Sequence, residues 1–266
     1  SKPAKVALVG HAKAIVQQLN DGLQKNPVHV SPTSEWMKNL NQTSKKSRDL
    51  FLELASNRSS PMNYYCALSI IDKYIPHDVV IMNEGSDTMD IGRTVLNNYY
   101  PRKRLDAGTW GTMGVGMGQA LAGALVNPGG CVAVFGDSAF GFSGMEIEVA
   151  IRLNLPLVVI IINNNGIGPF NPTNYTSQAG KKIGDTTDDR LQYPVKSLTP
   201  QAHYEGFATA LGAKGVFVDT PDALESAVRE ALRVRPFKFQ IINCMISTTA
   251  SRGKASAPPF AAVGKL

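Results

Sequence analysis

Two short stretches of this chain carry residue types suited to chemistry. Gly136-Asp137-Ser138-Ala139 places a carboxylate in a turn of small residues. Asn163-Asn164-Asn165-Gly166 closes the apolar run Leu157-Val158-Val159-Ile160-Ile161-Ile162 with three amides. Asparagine is a poor strand residue and costly to bury without partners, so three of them at the mouth of a strand require a reason. A carboxylate at Asp137, an amide oxygen at Asn164 and a backbone carbonyl at Gly166 are hard oxygen donors. Such a set suits Mg²⁺ that keeps phosphate oxygens in its octahedron. The small residues Gly136, Ser138 and Ala139 would let a phosphate approach the backbone N–H groups of the next turn. The asparagines are therefore expected to act as metal and phosphate ligands.

The elements that must position these groups can be read from the surrounding pattern. Residues 131–135, a helix over 144–153 and a strand over 157–163 make one βαβ unit, whose connection is right-handed and whose strands end on the same edge of a sheet. Asp137 and Asn164 thus become neighbours where ligands of open parallel sheets sit, outside the carboxyl ends of the strands. Helices are also expected over 63–74, 111–125, 203–211 and 223–234, and strands over 79–83, 215–218 and 238–243. This alternation of helices with apolar, β-branched strands predicts an α/β fold, a parallel sheet with helices on both faces. The first residues differ. Val6-Ala7-Leu8-Val9 reads as a buried strand, Gly10 as a turn and 12–19 as a helix, the end of an earlier domain. Residues 20–61 read as a polar linker that packs on another surface, with Trp36, Met37 and Leu40 as its expected helical contacts. The expected division is 1–60, domain end and linker, and 61–266, the sheet domain.

Composition narrows the classes. With 43% hydrophobic and 18% charged residues the chain is of ordinary globular type. The three cysteines, Cys66, Cys131 and Cys244, are odd in number and form no C-x-x-C pair, which argues against a disulfide framework and a zinc site and for a reducing compartment. His11, His29, His77 and His203 have no metal-ligand spacing. The net charge of +6 lies in short clusters such as Arg102-Lys103-Arg104 without interleaved aromatics, so a nucleic-acid surface is not expected. No apolar run approaches the roughly 20 residues of a membrane span. Gly114-Val115-Gly116-Met117-Gly118-Gln119 lacks the third glycine of a dinucleotide fingerprint. Glu146 and Glu148 would point to different faces of a helix.

The two stretches together, Gly-Asp-Ser followed 27 positions after the acid by Asn164 within Asn-Asn-Asn-Gly, resemble the diphosphate-binding motif of thiamine-diphosphate enzymes, with Ser138 in place of the usual glycine. Within that superfamily "GDSAFGFSGMEIE", "NNNGI", "NEGSDTMDIGRTVL" from Asn83 and "PRKRLDAGTWGTMGVGMG" from Pro101 are similar to the 2-hydroxyacyl-CoA lyases. The oxalyl-CoA decarboxylases are the second reading, and a thiamine-diphosphate-binding module without catalysis is the third.

The resemblance implies side-chain ligation of Mg²⁺ by Asp137 and Asn164 and carbonyl ligation by Gly166. It implies diphosphate contacts at Gly136, from the N–H groups of Ser138 and Ala139, and from Ser86 and Asp87. The Gly111 carbonyl would accept from the 4′-amino group of the cofactor, Met113 would wedge under its bent rings, and Ile167 would complete the cofactor site. Asp87 stands where the family has asparagine and Gly168 where it has tyrosine. "TTASRGK" resembles a tail that folds over CoA and nominates Ser251 and Arg252 for that substrate. The implied reaction cleaves a 2-hydroxyacyl-CoA to formyl-CoA and an aldehyde one carbon shorter. The catalytic glutamate belongs to a pyrimidine-binding domain, so the chain is expected to be the C-terminal part of a homo-oligomeric enzyme about twice as long, inactive alone. Gly264-Lys265-Leu266 resembles the small-basic-leucine signal read by the peroxisomal import receptor, and Pro258-Pro259 keeps it extended, which predicts a peroxisome or related microbody.

Overall fold

In the computed structural model residues 3–168 and 196–250 are described. The chain divides into two compact units, residues 1–48 and 49–266. In the first, α1 (Ala12–Lys25) and the start of α2 (Glu35–Ser56) are helical, and Val6, Leu8 and Val9 are exposed and form no strand. A strand needs a ladder partner, and among the described residues this segment pairs with no strand. The expected linker is largely helix, because 35–56 contains neither glycine nor proline and is rich in Leu and Lys. Trp36 and Leu40 do not pack as expected but stay largely exposed.

The second unit is built on apolar runs too short and too β-branched for buried helices. Its six strands are β1 (Val80–Glu84), β2 (Arg104–Asp106), β3 (Cys131–Gly136), β4 (Leu157–Asn163), β5 (Lys214–Val218) and β6 (Gln240–Met245). They pair in the order β2-β1-β3-β4-β6-β5, every pair parallel. The apolar residues of β3 and β4 are inaccessible on both faces, as a sheet covered by helices on both sides requires. One core cluster packs α3 (Tyr64–Tyr74), α4 (Ser86–Val95) and α9 (Pro221–Arg233) on Val132, Val134, Val158, Ile160 and Ile242. Phe51, Leu54 and Ala55 of α2 lie against it. The other cluster packs α5 (Gly116–Val126), α6 (Asp137–Ser143), α7 (Ile147–Arg152) and α8 (Glu205–Ala210) on Ala133, Phe135, Val159, Ile161 and Ile241. Two helix starts are capped from sequence, Asn63 accepting from the Cys66 N–H and Thr220 from the Ala223 N–H beside Pro221.

Several differences from the expected elements have local causes. The helix expected from residue 111 begins at Gly116, because Gly108, Gly111 and Gly114 all adopt positive φ, which an α-helix excludes. A seven-residue helix, α6, starts directly at Asp137, and the single helix expected over 144–153 becomes a 3₁₀ turn over Gly144–Glu146 followed by α7. Helix α4 falls where no helix was expected. Gly92 lies in its middle, where a Cβ would come within 2.6 Å of Asn83 Oδ1, so the glycine allows close packing on β1 and does not break the helix. Strand β2 starts on the last residue of the basic run Arg102-Lys103-Arg104, because a half-buried edge strand tolerates charge.

Candidate active site

The sheet fixes the site. After β2 the chain crosses back over β1 to lay down β3, so the strand order reverses at β1/β3 and a crevice opens at their carboxyl ends. Gly85 follows β1 with φ +116°, and a Cβ there would meet the Gly136 N at 3.1 Å, so the two strand ends approach backbone to backbone. At the end of β3, Asp137 is 1% exposed. Its Oδ1 accepts from the Ser138 N–H at 2.7 Å and its Oδ2 from the Gly166 N–H at 2.9 Å, joining the β3 and β4 ends. Burial raises the Asp137 carboxyl to about 7, with the surrounding backbone N–H groups pulling the other way.

The three asparagines divide their work. Asn163 is fully buried and lies apart from the cleft. Its amide donates to the Ala202 carbonyl and to Asn243 Oδ1, each at 3.2 Å, and its oxygen accepts from the Asn165 N–H at 3.1 Å. Asn165 takes φ +63°, a conformation open to asparagine, and its oxygen accepts from the Gln201 N–H at 2.8 Å. Only Asn164 lines the cleft, its nitrogen donating to the Gly168 carbonyl at 2.9 Å. The expectation that all three are ligands is thus corrected, since consecutive residues leaving a strand point to different sides.

The cleft encloses about 210 Å³. It brings together Ser86 and Asp87 from the start of α4, Met113 from the loop before α5, Gly136, Asp137 and Ser138 from the end of β3, and Asn164, Gly166 and Ile167 from the end of β4. Gly111 and Ala139 do not line it. Ala139 is fully buried behind that surface, and the Ser138 N–H is already engaged by Asp137. Ser251, Arg252, Gly264, Lys265 and Leu266 lie outside the described residues.

Three contributors were missed. Tyr64, at the start of α3, lines the cleft. Burial, with the carboxylates of Asp87 and Asp137, pushes its phenol well above the usual range, so it stays a neutral donor. Thr88 lines the same wall. Glu84, fully buried at the end of β1, accepts from the N–H groups of Gly114 and Gly116, and burial raises its carboxyl against those bonds. A polar residue at a strand end, adjacent to a glycine, was the available signal.

Among the described residues no three His, Cys, Asp or Glu side chains cluster as a metal site. A hard cation would find one carboxylate, one amide oxygen and one carbonyl, and the buried Asp137 carboxylate is the group whose charge such a cation would offset. The residues therefore fit a small oxygen-seeking cation carrying an anionic ligand.

Residues 85–242 match the family model described as "Thiamine pyrophosphate enzyme, C-terminal TPP binding domain". The chain belongs to the thiamine pyrophosphate enzymes. Thiamine pyrophosphate is the thiamine diphosphate named above, and the match supports its binding by this domain. This domain is 44% identical over 94% of the chain to human 2-hydroxyacyl-CoA lyase 1, covering 43% of that protein. It is 34% identical, again over 94% of the chain, to oxalyl-CoA decarboxylase of Escherichia coli (strain K12), covering 42% of it. The chain thus spans less than half the length of these relatives. The fold of this thiamine pyrophosphate domain is shared with benzoylformate decarboxylase from Polynucleobacter necessarius, with a TM-score of 0.59 at 19% identity over 74% of this chain and 35% of that one.

Proposed function

We propose that the chain is the cofactor-binding part of a lyase that cleaves 2-hydroxyacyl-CoA to formyl-CoA and an aldehyde one carbon shorter. The carrying observation is that the chain is 44% and 42% identical to the human and mouse proteins named 2-hydroxyacyl-CoA lyase 1 and 34% identical to the Escherichia coli oxalyl-CoA decarboxylase. Residues 1–60 are the end of a central domain with its linker, and residues 61–266 the diphosphate domain. Thiamine diphosphate, when bound, supplies the electron sink for breaking a bond beside a carbonyl. The protein supplies position and charge. Asp137, Asn164 and the Gly166 carbonyl hold Mg²⁺. Gly136, Ser138, Ser86 and Asp87 surround the diphosphate, and the cation offsets the repulsion between Asp87 and that anion. Tyr64 remains protonated and donates into the same space. Met113, Ile167 and the Gly111 carbonyl hold the rings, Ser251 and Arg252 meet CoA, and the enzyme works as a homo-oligomer.

The test is turnover by the full-length protein with a 2-hydroxyacyl-CoA and with oxalyl-CoA, each with and without thiamine diphosphate and Mg²⁺. Formyl-CoA and aldehyde from the first substrate, abolished by chelation, are expected. Turnover of oxalyl-CoA alone would move the protein to the decarboxylases, and tight cofactor binding without either reaction would make it a binding module. We also propose import into peroxisomes or a related microbody through Gly264, Lys265 and Leu266. A fluorescent protein carrying the last twelve residues should become punctate in a peroxisome-bearing cell. A diffuse signal, unchanged when Leu266 is deleted, defeats this address.

A further inference from the structure

Glu84 is a buried carboxylate that none of these roles uses. It sits at the end of β1, fully inaccessible, and binds the backbone N–H groups of Gly114 and Gly116, the latter at 2.6 Å. Residue Val115 caps α5 with no side-chain hydrogen bond, so the acceptor comes from another strand. A serine or aspartate at position 115 would cap the helix without burying a charge under the sheet edge. The contact is also tight, since a Cβ on Gly116 would overlap Glu84 Oε2 and Met82 Cε. The loop so held is otherwise permissive. Gly108, Gly111 and Gly114 take positive φ, nothing lies within 4 Å of a Cβ on Gly111, and Trp110 is 93% exposed. On the other side of Glu84, Gly85 abuts the Gly136 N and Ser86 opens α4 into the cleft.

We propose that Glu84 is a positioning residue that sets the distance between the two ends of the cofactor site. It ties the loop bearing Gly111 and Met113 to the strand ends bearing Ser86, Gly136 and Asp137. The inference rests on the thiamine-diphosphate reading of this cleft. A glutamine at 84 offers one acceptor to two N–H donors and turns its own NH₂ toward one of them, so the loop must shift. An aspartate keeps the charge and falls short by a methylene.

In the full-length protein, Glu84→Gln and Glu84→Asp are compared with wild type for thiamine diphosphate affinity, kcat, KM and the near-ultraviolet circular dichroism of the bound aminopyrimidine. Affinity should hold within about threefold, because the anion contacts lie elsewhere. The rate constant kcat should fall between about 10-fold and 100-fold, the scale set by misplacement of about 1 Å, with KM unchanged and the dichroic band altered. Wild-type kcat and band in both variants, or a kcat loss reversed by saturating cofactor, would overturn the inference. Wild-type protein that binds no thiamine diphosphate would instead sink the reading of the site, and this inference with it. If neither variant folds, hydrogen exchange in the wild type decides. Slow exchange at the Gly114 and Gly116 amides, slowed further by thiamine diphosphate, supports the role, and fast exchange or no response refutes it.

Discussion

Gly166 shows how little slack the end of β4 has. A Cβ there would lie 2.5 Å from the Lys196 carbonyl oxygen, a backbone atom that cannot rotate away. Ordinary contact begins near 3.4 Å, so the strand exit and the 196–198 segment must separate by close to an ångström. Three bonds resist this. Ile167 N–H donates to the Lys196 carbonyl and Leu198 N–H to the Asn165 carbonyl, each at 2.9 Å, and Gly166 N–H donates to Asp137 Oδ2 at 2.9 Å. Losing one neutral bond costs about 1 kcal/mol, and weakening a bond to a buried carboxylate costs about 1.5–3 kcal/mol. Replacing glycine by alanine returns about 0.4–1 kcal/mol through the unfolded chain. Gly166→Ala should therefore destabilise the chain by about 2–3 kcal/mol in urea unfolding followed by circular dichroism. Gly141→Ala is the matched control. It lies in α6 with nothing within 4 Å of a Cβ and no positive φ, and should stabilise by about 0.5–1 kcal/mol. A Gly166→Ala variant within about 0.5 kcal/mol of wild type, or a control that falls equally, would refute the geometric reasoning.

Glu225 joins α3 to α9 through Lys73, Tyr74 and Arg58, which hold its carboxyl down at about 2. The folded state thus prefers the ionised form, and this stabilisation is present above the ordinary value of 4.5 and lost as pH falls toward 2. Thermal unfolding of Glu225→Gln should lie below wild type at neutral pH and converge with it in acid, whereas a gap that does not change with pH would contradict the assignment. Thiamine diphosphate with Mg²⁺ at a hundredfold excess over Kd should stabilise the full-length protein by about 2.7 kcal/mol. Asp137→Asn should abolish that Mg²⁺-dependent shift in a thermal scan, and an undiminished shift would remove Asp137 from the metal site. Asn163→Leu leaves the Asn165 N–H and Asn243 short of buried partners, and should cost about 1–3 kcal/mol in unfolding without any ligand present. A neutral result would show that Asn163 holds nothing.

The fold was legible because β3 and β4 announce themselves. Cys131–Gly136 and Leu157–Asn163 are apolar runs of strand length, bounded by glycine on one side and asparagine on the other. Parallel pairing and a cleft at the carboxyl edge followed from the connection alone. What stayed hidden was carried by glycine and by polarity. Gly92, a residue costly within a helix, is the point at which α4 presses on Asn83. The polar run 35–56 looks like a linker, although its propensities favour the helix that forms. Both helices pack on the core, α4 through Ile91 and Val95 and α2 through Phe51, Leu54 and Ala55, a partner surface that composition alone does not show.

The site was legible for a narrower reason. Asp137 and Asn164 are joined by topology. The β3 and β4 register pairs Gly136 with Ile162, which brings the residues just beyond each strand to the same edge. Spacing in sequence could not tell which asparagine faces that edge, because the answer depends on where the strand stops pairing. β4 pairs through Asn163 with Met245 of β6, which keeps Asn163 in the ladder and turns its side chain toward Asn243 and Ala202. The next residue leaves the ladder and reaches the cleft. Asn165, already at positive φ, turns the backbone so that the Gly166 N–H meets Asp137. Three identical side chains thus do three things. One satisfies the buried strand end, one lines the cleft and one makes the turn. Glu84 escaped notice by the same logic. Its partners are backbone N–H groups thirty residues away in the chain, which leave no mark in sequence beyond the glycines that make room for it.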